Sequence, residues 1–99
     1  MLDKNKIKSL LSQKKYDDIL NILMDEYRSI LHTFFKKNNI SFSNTDTMLD
    51  LILKLEAFFP QYKGFSNLMS TAFFSEDLSS FNKINTLLDG YEQILTELT

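Results

Sequence analysis

Asp25, Arg28 and His32 stand at i, i+3 and i+7 in the stretch Asp25-Glu26-Tyr27-Arg28-Ser29-Ile30-Leu31-His32. That spacing places them on one flank of a helix, with Arg28 and His32 a single turn apart. A phosphate or carboxylate lying there could touch both. Histidine titrates near neutrality and can act as general acid or base while arginine stabilises an anion. The competing account is structural: an Asp25–Arg28 surface ion pair, with His32 flanking the core. Catalysis would need perturbed groups in a cleft, and the sequence marks none.

Other chemistries find less support. His32 is the single histidine and there is no cysteine. No Glu-x-x-His or His-x-x-x-His spacing occurs, so no metal site and no disulfide framework is expected. Ten serines are present, but one histidine and no Gly-x-Ser-x-Gly turn argue against a hydrolase triad. Gly64 and Gly90 are the only glycines, too few for a phosphate-cradling loop. No cofactor is expected. Lys14 and Lys15, with Lys4, Lys6 and Lys8, are the candidate nucleic-acid contacts. They lack the interleaved aromatics on which single-stranded bases stack, so a solvated basic face is the simpler account.

The aromatic residues say more. Phe34-Phe35, Phe58-Phe59 and Phe73-Phe74 are adjacent pairs, and neighbours on a helix point about 100° apart. One member of each pair can enter the core while the other sits at its edge. Phe35, Phe59 and Phe74 are the expected edge members. Nine phenylalanines and four tyrosines in 99 residues are more aromatic surface than a small domain readily hides. A patch of that kind marks a homo-oligomer interface or a protein-partner surface. A wide core covered at its rim by loops would account for the same residues.

These side chains need helices to position them. Two glycines, one proline and no valine, against 16 leucines and 8 isoleucines, exclude a turn-rich all-β chain. A doubly wound α/β fold needs more residues. The expectation is one all-α domain over residues 1–99, an antiparallel, up-and-down bundle of four to five helices. A first helix spans 3–13, capped by Asp3, with Ile7, Leu10 and Leu11 on one face; residues 12–15 are the joint. The second, about 16–38, carries Tyr16, Leu20, Leu23, Tyr27, Ile30, Leu31 and Phe34 as an apolar stripe. Asn38 and Asn39 are its left-handed terminators. Ile40 and Phe42 tuck onto the core from the 39–44 loop. Asn44 or Thr45 caps a third helix with Asp46 in its first turn. That helix buries Met48, Leu51, Ile52, Leu55, Phe58 and Phe59 and stops at Pro60. A fourth covers about 65–74, with Phe65, Leu68, Met69, Ala72 and Phe73 inward. Ser75 caps the last, about 76–98, whose seam is Phe81, Ile84, Leu88, Tyr91, Leu95 and Leu98. Gly90, inside that helix, admits a close neighbour.

The net charge of −2 argues against a dedicated nucleic-acid-binding domain. Its distribution is uneven: residues 1–37 hold eight basic and five acidic side chains, residues 38–99 three and eight. The Met1-Leu2-Asp3-Lys4 start lacks the apolar region of a signal peptide. No apolar run nears the ~20 residues of a membrane span. A cytoplasmic location is expected.

Residues 14–42, from Lys-Lys-Tyr-Asp-Asp-Ile-Leu to Phe-Phe-Lys-Lys-Asn-Asn-Ile-Ser-Phe, resemble the opening helical pair of HEPN-type domains. The helix start Asn44-Thr45-Asp46-Thr47-Met48-Leu49 and the closing long helix also fit in order and length. HEPN domains are small prokaryotic helical bundles of toxin–antitoxin, abortive-infection and nucleotidyltransferase-partner systems. Their ribonuclease members carry an arginine, a polar residue, a gap of four to six residues and a histidine, usually in later helices. Arg28-Ser29-Ile30-Leu31-His32 is shorter and lies on the second helix, and Ser70-Thr71-Ala72-Phe73-Phe74-Ser75 has neither residue. The resemblance therefore implies a catalytically degenerate, dimerising or ligand-holding member, with an RNase or nucleotide-binding role for Arg28 and His32 as its alternative. The chain also resembles bacteriocin-immunity proteins in size and helix count, which would imply a cytoplasmic protector acting by binding.

Overall fold

Asp3 opens the first helix as expected, its side chain accepting a hydrogen bond from the Lys6 amide at 3.1 Å. The computed structural model describes residues 2–99. Its helices are α1 (Lys4–Ser12), α2 (Tyr16–Lys37), α3 (Met48–Phe58), α4 (Lys63–Phe74) and α5 (Ser80–Leu98). A 3-10 turn, Pro60–Tyr62, joins α3 to α4. No strand occurs among the described residues. The Cα radius of gyration, 13.3 Å, matches the roughly 13 Å of a compact 100-residue chain.

Two of the connections use the same backbone device. Lys14 and Asn39 both take left-handed conformations, at φ 56° and 58°. In each case two amides fold back on the helix just ended. Lys15 N reaches Leu10 O and Lys14 N reaches Leu11 O, both at 3.0 Å; Ile40 N reaches Phe35 O at 2.9 Å and Asn39 N reaches Lys36 O at 3.3 Å. This pattern satisfies carbonyls that the helix end would otherwise leave unpaired. Asn39 is the expected terminator, whereas Asn38 is not left-handed.

The starts of α3 and α5 depart from expectation. Neither Asn44 nor Thr45 caps α3, and Asp46 precedes the helix. Thr47 is the cap: its Oγ1 accepts from Asp50 N at 3.1 Å while Asp50 Oδ2 accepts from Thr47 N at 2.9 Å. That reciprocal box satisfies two free amides at once. Ser75 ends α4, but Ser79, accepting from Asn82 N at 3.2 Å, caps α5. Ser75 Oγ is used locally by the Asp77 amide, and the helix begins at Ser80, not 76.

Packing runs α1 on α2, α2 on α5, α5 on α4 and α4 on α3, with α3 returning to α2. α2 buries Ile19, Leu23, Tyr27, Ile30, Leu31, Phe34 and Phe35. Ile19, not Leu20, takes the fully buried place near its start. α5 buries Ile84, Leu87, Tyr91, Ile94 and Leu98, a 3-4-3-4 seam; the expected Phe81 is exposed, and Leu88 and Leu95 are only partly buried. Tyr27 joins the two long helices. Its hydroxyl donates to the Leu87 carbonyl, and the rings of Phe73 and Tyr91 meet it edge-on at 5.8 and 6.0 Å. Burial pushes the Tyr27 hydroxyl pKa far up, so it remains a donor. At Gly90 a Cβ would lie 2.7 Å from Leu68 Cδ1, and the missing side chain lets α4 approach α5.

Candidate functional site

Arg28 and His32 do share a flank of α2, and both are turned toward the segment between α2 and α3. Arg28 Nη1 donates to the Asp46 carbonyl at 2.8 Å. Among the described residues no Asp25–Arg28 ion pair forms; Asp25 is exposed to solvent. The imidazole of His32 stacks on Phe42, centroids 4.4 Å apart and planes 22° from parallel. Its Nε2 is shielded from solvent and has no hydrogen-bond partner. Desolvation, with the positive charges of Arg28 and Lys36, holds the imidazole pKa below 6.5. Among the described residues, Asp25, Arg28 and His32 line none of the five most pronounced surface hollows.

The 40–47 segment is tied from the α3 side as well. Lys54 Nζ donates to Ser41 O at 2.8 Å and to Asp46 Oδ2 at 3.1 Å. The same Asp46 oxygen accepts from the Ser43 amide at 3.0 Å. The Ser43 amide, followed by Lys54, lowers the Asp46 pKa. This cluster of Arg28, His32, Phe42, Asp46 and Lys54 was not legible as a unit, because its members come from three elements. Spacing pointed only to Arg28 and His32.

The aromatic residues divide differently from expectation. Phe35 is fully buried, covered in part by Phe42 at 6.1 Å, and so presents no surface. Phe59 is half-buried, its ring edge-on to Phe34 at 4.7 Å and beside Tyr62. Phe74 is exposed. Phe58, expected inward, is the most exposed large apolar residue among those described, at 59%. α3 ends there; Phe59 leaves helical geometry at φ −135°, ψ 69° and turns toward the core in its place.

Phe58 adjoins, across a hollow shared with Leu53 and Ala57, a second apolar strip that sequence reasoning missed. Leu49 is 44% and Leu53 53% exposed on the same helix, and Ala57 is exposed with them. Met48, Leu51, Ile52 and Leu55 are buried on the opposite face. Besides its buried face, α3 therefore exposes an apolar strip, Leu49, Leu53 and Ala57, bordered by Glu56 on one side and by Asp50 and Lys54 on the other. Asp46, Asp50, Lys54, Ala57 and Phe58 surround Leu53 in a shallow hollow, and Glu56 lies exposed nearby. The signal was present as Leu49 and Leu53, which fall outside the stripe used to position the helix.

The remaining candidates are dispersed. Lys14 and Lys15 are solvent-exposed in the α1–α2 joint, and Lys4 pairs with Glu92 at 3.3 Å, both largely exposed. No group of three His, Cys, Asp or Glu among the described residues could hold a metal. No described helix is long and apolar enough to cross a membrane. Comparison with known proteins finds no matching family model, curated protein or solved structure.

Proposed function

We propose that this chain is a non-enzymatic contact module, a cytoplasmic antiparallel bundle of HEPN-like, up-and-down layout that pairs with a second copy of itself through the outer face of α3. Its setting would be a bacterial antitoxin, defence or regulatory system, as that resemblance implies. The observation that carries the reading is the second, exposed apolar strip of α3. An apolar strip within a polar rim marks an interaction surface.

The residue spacing on this strip suits a second copy. Leu49, Leu53 and Ala57 form one i±4 ridge, and such ridges interdigitate when helices cross. About a two-fold axis at Leu53, that residue meets its own copy, and each Leu49 meets the small Ala57 of the other chain. Arg28 and His32 hold the 40–47 segment in place, which accounts for both residues without a reaction.

The rim predicts how pairing responds to salt. Asp46, Asp50 and Glu56 outweigh Lys54, so two such faces repel weakly, and added salt should tighten the dimer. A basic protein partner would instead bind more weakly as salt rises. Sedimentation equilibrium at low and high salt tests this. The wild-type chain should dimerise, more tightly at high salt, while Leu53→Glu stays monomeric with unchanged helicity. A wild-type monomer at every salt concentration, up to millimolar protein, would remove the second copy as the occupant of this face.

A further inference from the structure

Residues 40–47 form a strap held at both sides and sensitive at one point. On the α3 side, Lys54 grips Ser41 O and Asp46 Oδ2. On the α2 side, Arg28 holds the Asp46 carbonyl and His32 carries the Phe42 ring. Beneath Phe42 lies Phe35, fully buried. We propose that this strap is pH-gated: it closes over Phe35 while His32 is neutral and comes away from α2 when the imidazole takes up a proton. The inference stands apart from the pairing proposed above, since it concerns only contacts within one chain.

The geometry favours neutral His32. A neutral imidazole carries one N–H, and its other nitrogen can remain unprotonated; an imidazolium must donate from both. Nε2 faces no acceptor and no solvent. The face of Phe42 offers a cation some attraction, but an N–H lies in the imidazole plane and points past a ring stacked 22° from parallel. The facing charges are Arg28 and Lys36 from α2 and Asp46 from the strap. Asp46 alone would welcome the proton, and its Oδ2 is already held by Ser43 N and by Lys54 from α3.

The sign follows from linkage. With the strap released, His32 loses the burial that the strap imposes but keeps Arg28 and Lys36 beside it on α2, so its pKa moves up toward 6.5; with the strap closed, the pKa is lower. The closed form therefore binds fewer protons, is favoured above that range and loses ground as pH falls through the released-state pKa. Within the window down to the closed-state pKa, each pH unit raises the open-to-closed ratio by up to about tenfold.

His32 is the single histidine, so its ring signal in an NMR titration of the full chain is unambiguous. From about pH 7.5 to about pH 5, spanning the histidine range, the ring should titrate with a midpoint below 6.5. The Ile40 methyl and the 40–46 amides should shift with the same midpoint. In His32→Phe, which keeps a ring against Phe42 without a titrating group, the strap signals should stay flat. The proposal is overturned if the strap is flat in the wild type while His32 titrates, or if the midpoint is 6.5 or higher. Strap signals that move equally in His32→Phe would also overturn it, and would assign the transition to a carboxylate.

Discussion

α2 and α3 solve the same problem in opposite ways. α2 turns seven large side chains inward and sends Asp17, Asn21, Asp25, Ser29 and Lys36 to solvent. Its burial is completed inside the chain, by α1, α3 and α5. α3 is half as long, buries four apolar residues, and leaves Leu49, Leu53 and Phe58 outside. An amphipathic helix is explained by its own core. A helix that also exposes an apolar strip needs something beyond that core, and this difference is what directs attention to α3.

Truncation on the two helices should separate them most widely. Leu31→Ala removes a fully buried side chain and should cost about 2–5 kcal/mol. Leu53→Ala, measured by urea unfolding at a dilution where the chain is monomeric, should stay within about 0.5 kcal/mol of wild type. Equal losses would mean that the outer face belongs to the core, and the contrast would fail. A middle-sized effect is expected at Gly90→Leu, which drives a side chain into Leu68 where a Cβ already lies at 2.7 Å. The overpacking should cost about 1–3 kcal/mol, read as a lowered urea midpoint; an unchanged midpoint would show that α4 can yield. Thr47→Ala should cost less than Gly90→Leu, about 1 kcal/mol, through loss of the α3 cap. Thr45→Ala, beside it, should leave helix stability unaltered by this route.

The core helices were readable because their evidence is periodic and local. α2 needed only its three- and four-residue spacing, Asp3 needed only its place before α1, and Pro60 stops α3 wherever the helix begins. The cap positions were harder. Asn44, Thr45, Asp46 and Thr47 all have N-cap chemistry, and Thr47 prevails because Asp50 sits three residues on and returns the bond. Likewise Ser75 and Ser79 are equivalent as residue types, but Ser75 Oγ accepts from the Asp77 amide.

Phe35 shows why the candidate site was only half legible. Helical spacing places it at the edge of the α2 stripe, and it is buried because Phe42 of the strap covers it. A loop docks by individual contacts with no period to detect. Arg28 and His32 could be paired from spacing, but their partners Asp46 and Phe42 lie 18 and 10 residues further along the chain, in irregular backbone. Phe58 fails for a related reason: periodicity assigns it inward, yet the helix ends there and Phe59 turns in instead.

The contact reading can be tested most directly by a nuclear Overhauser experiment on the methyl groups of α3. Leu49 and Ala57 are eight residues apart on one helix, about 12 Å along its axis, too far for a strong methyl–methyl signal within a chain. The two-fold pairing predicts a Leu49–Ala57 cross-peak that strengthens with protein concentration and vanishes in Leu53→Glu. Its absence at concentrations where sedimentation shows a dimer would place the interface elsewhere and contradict the assignment of α3.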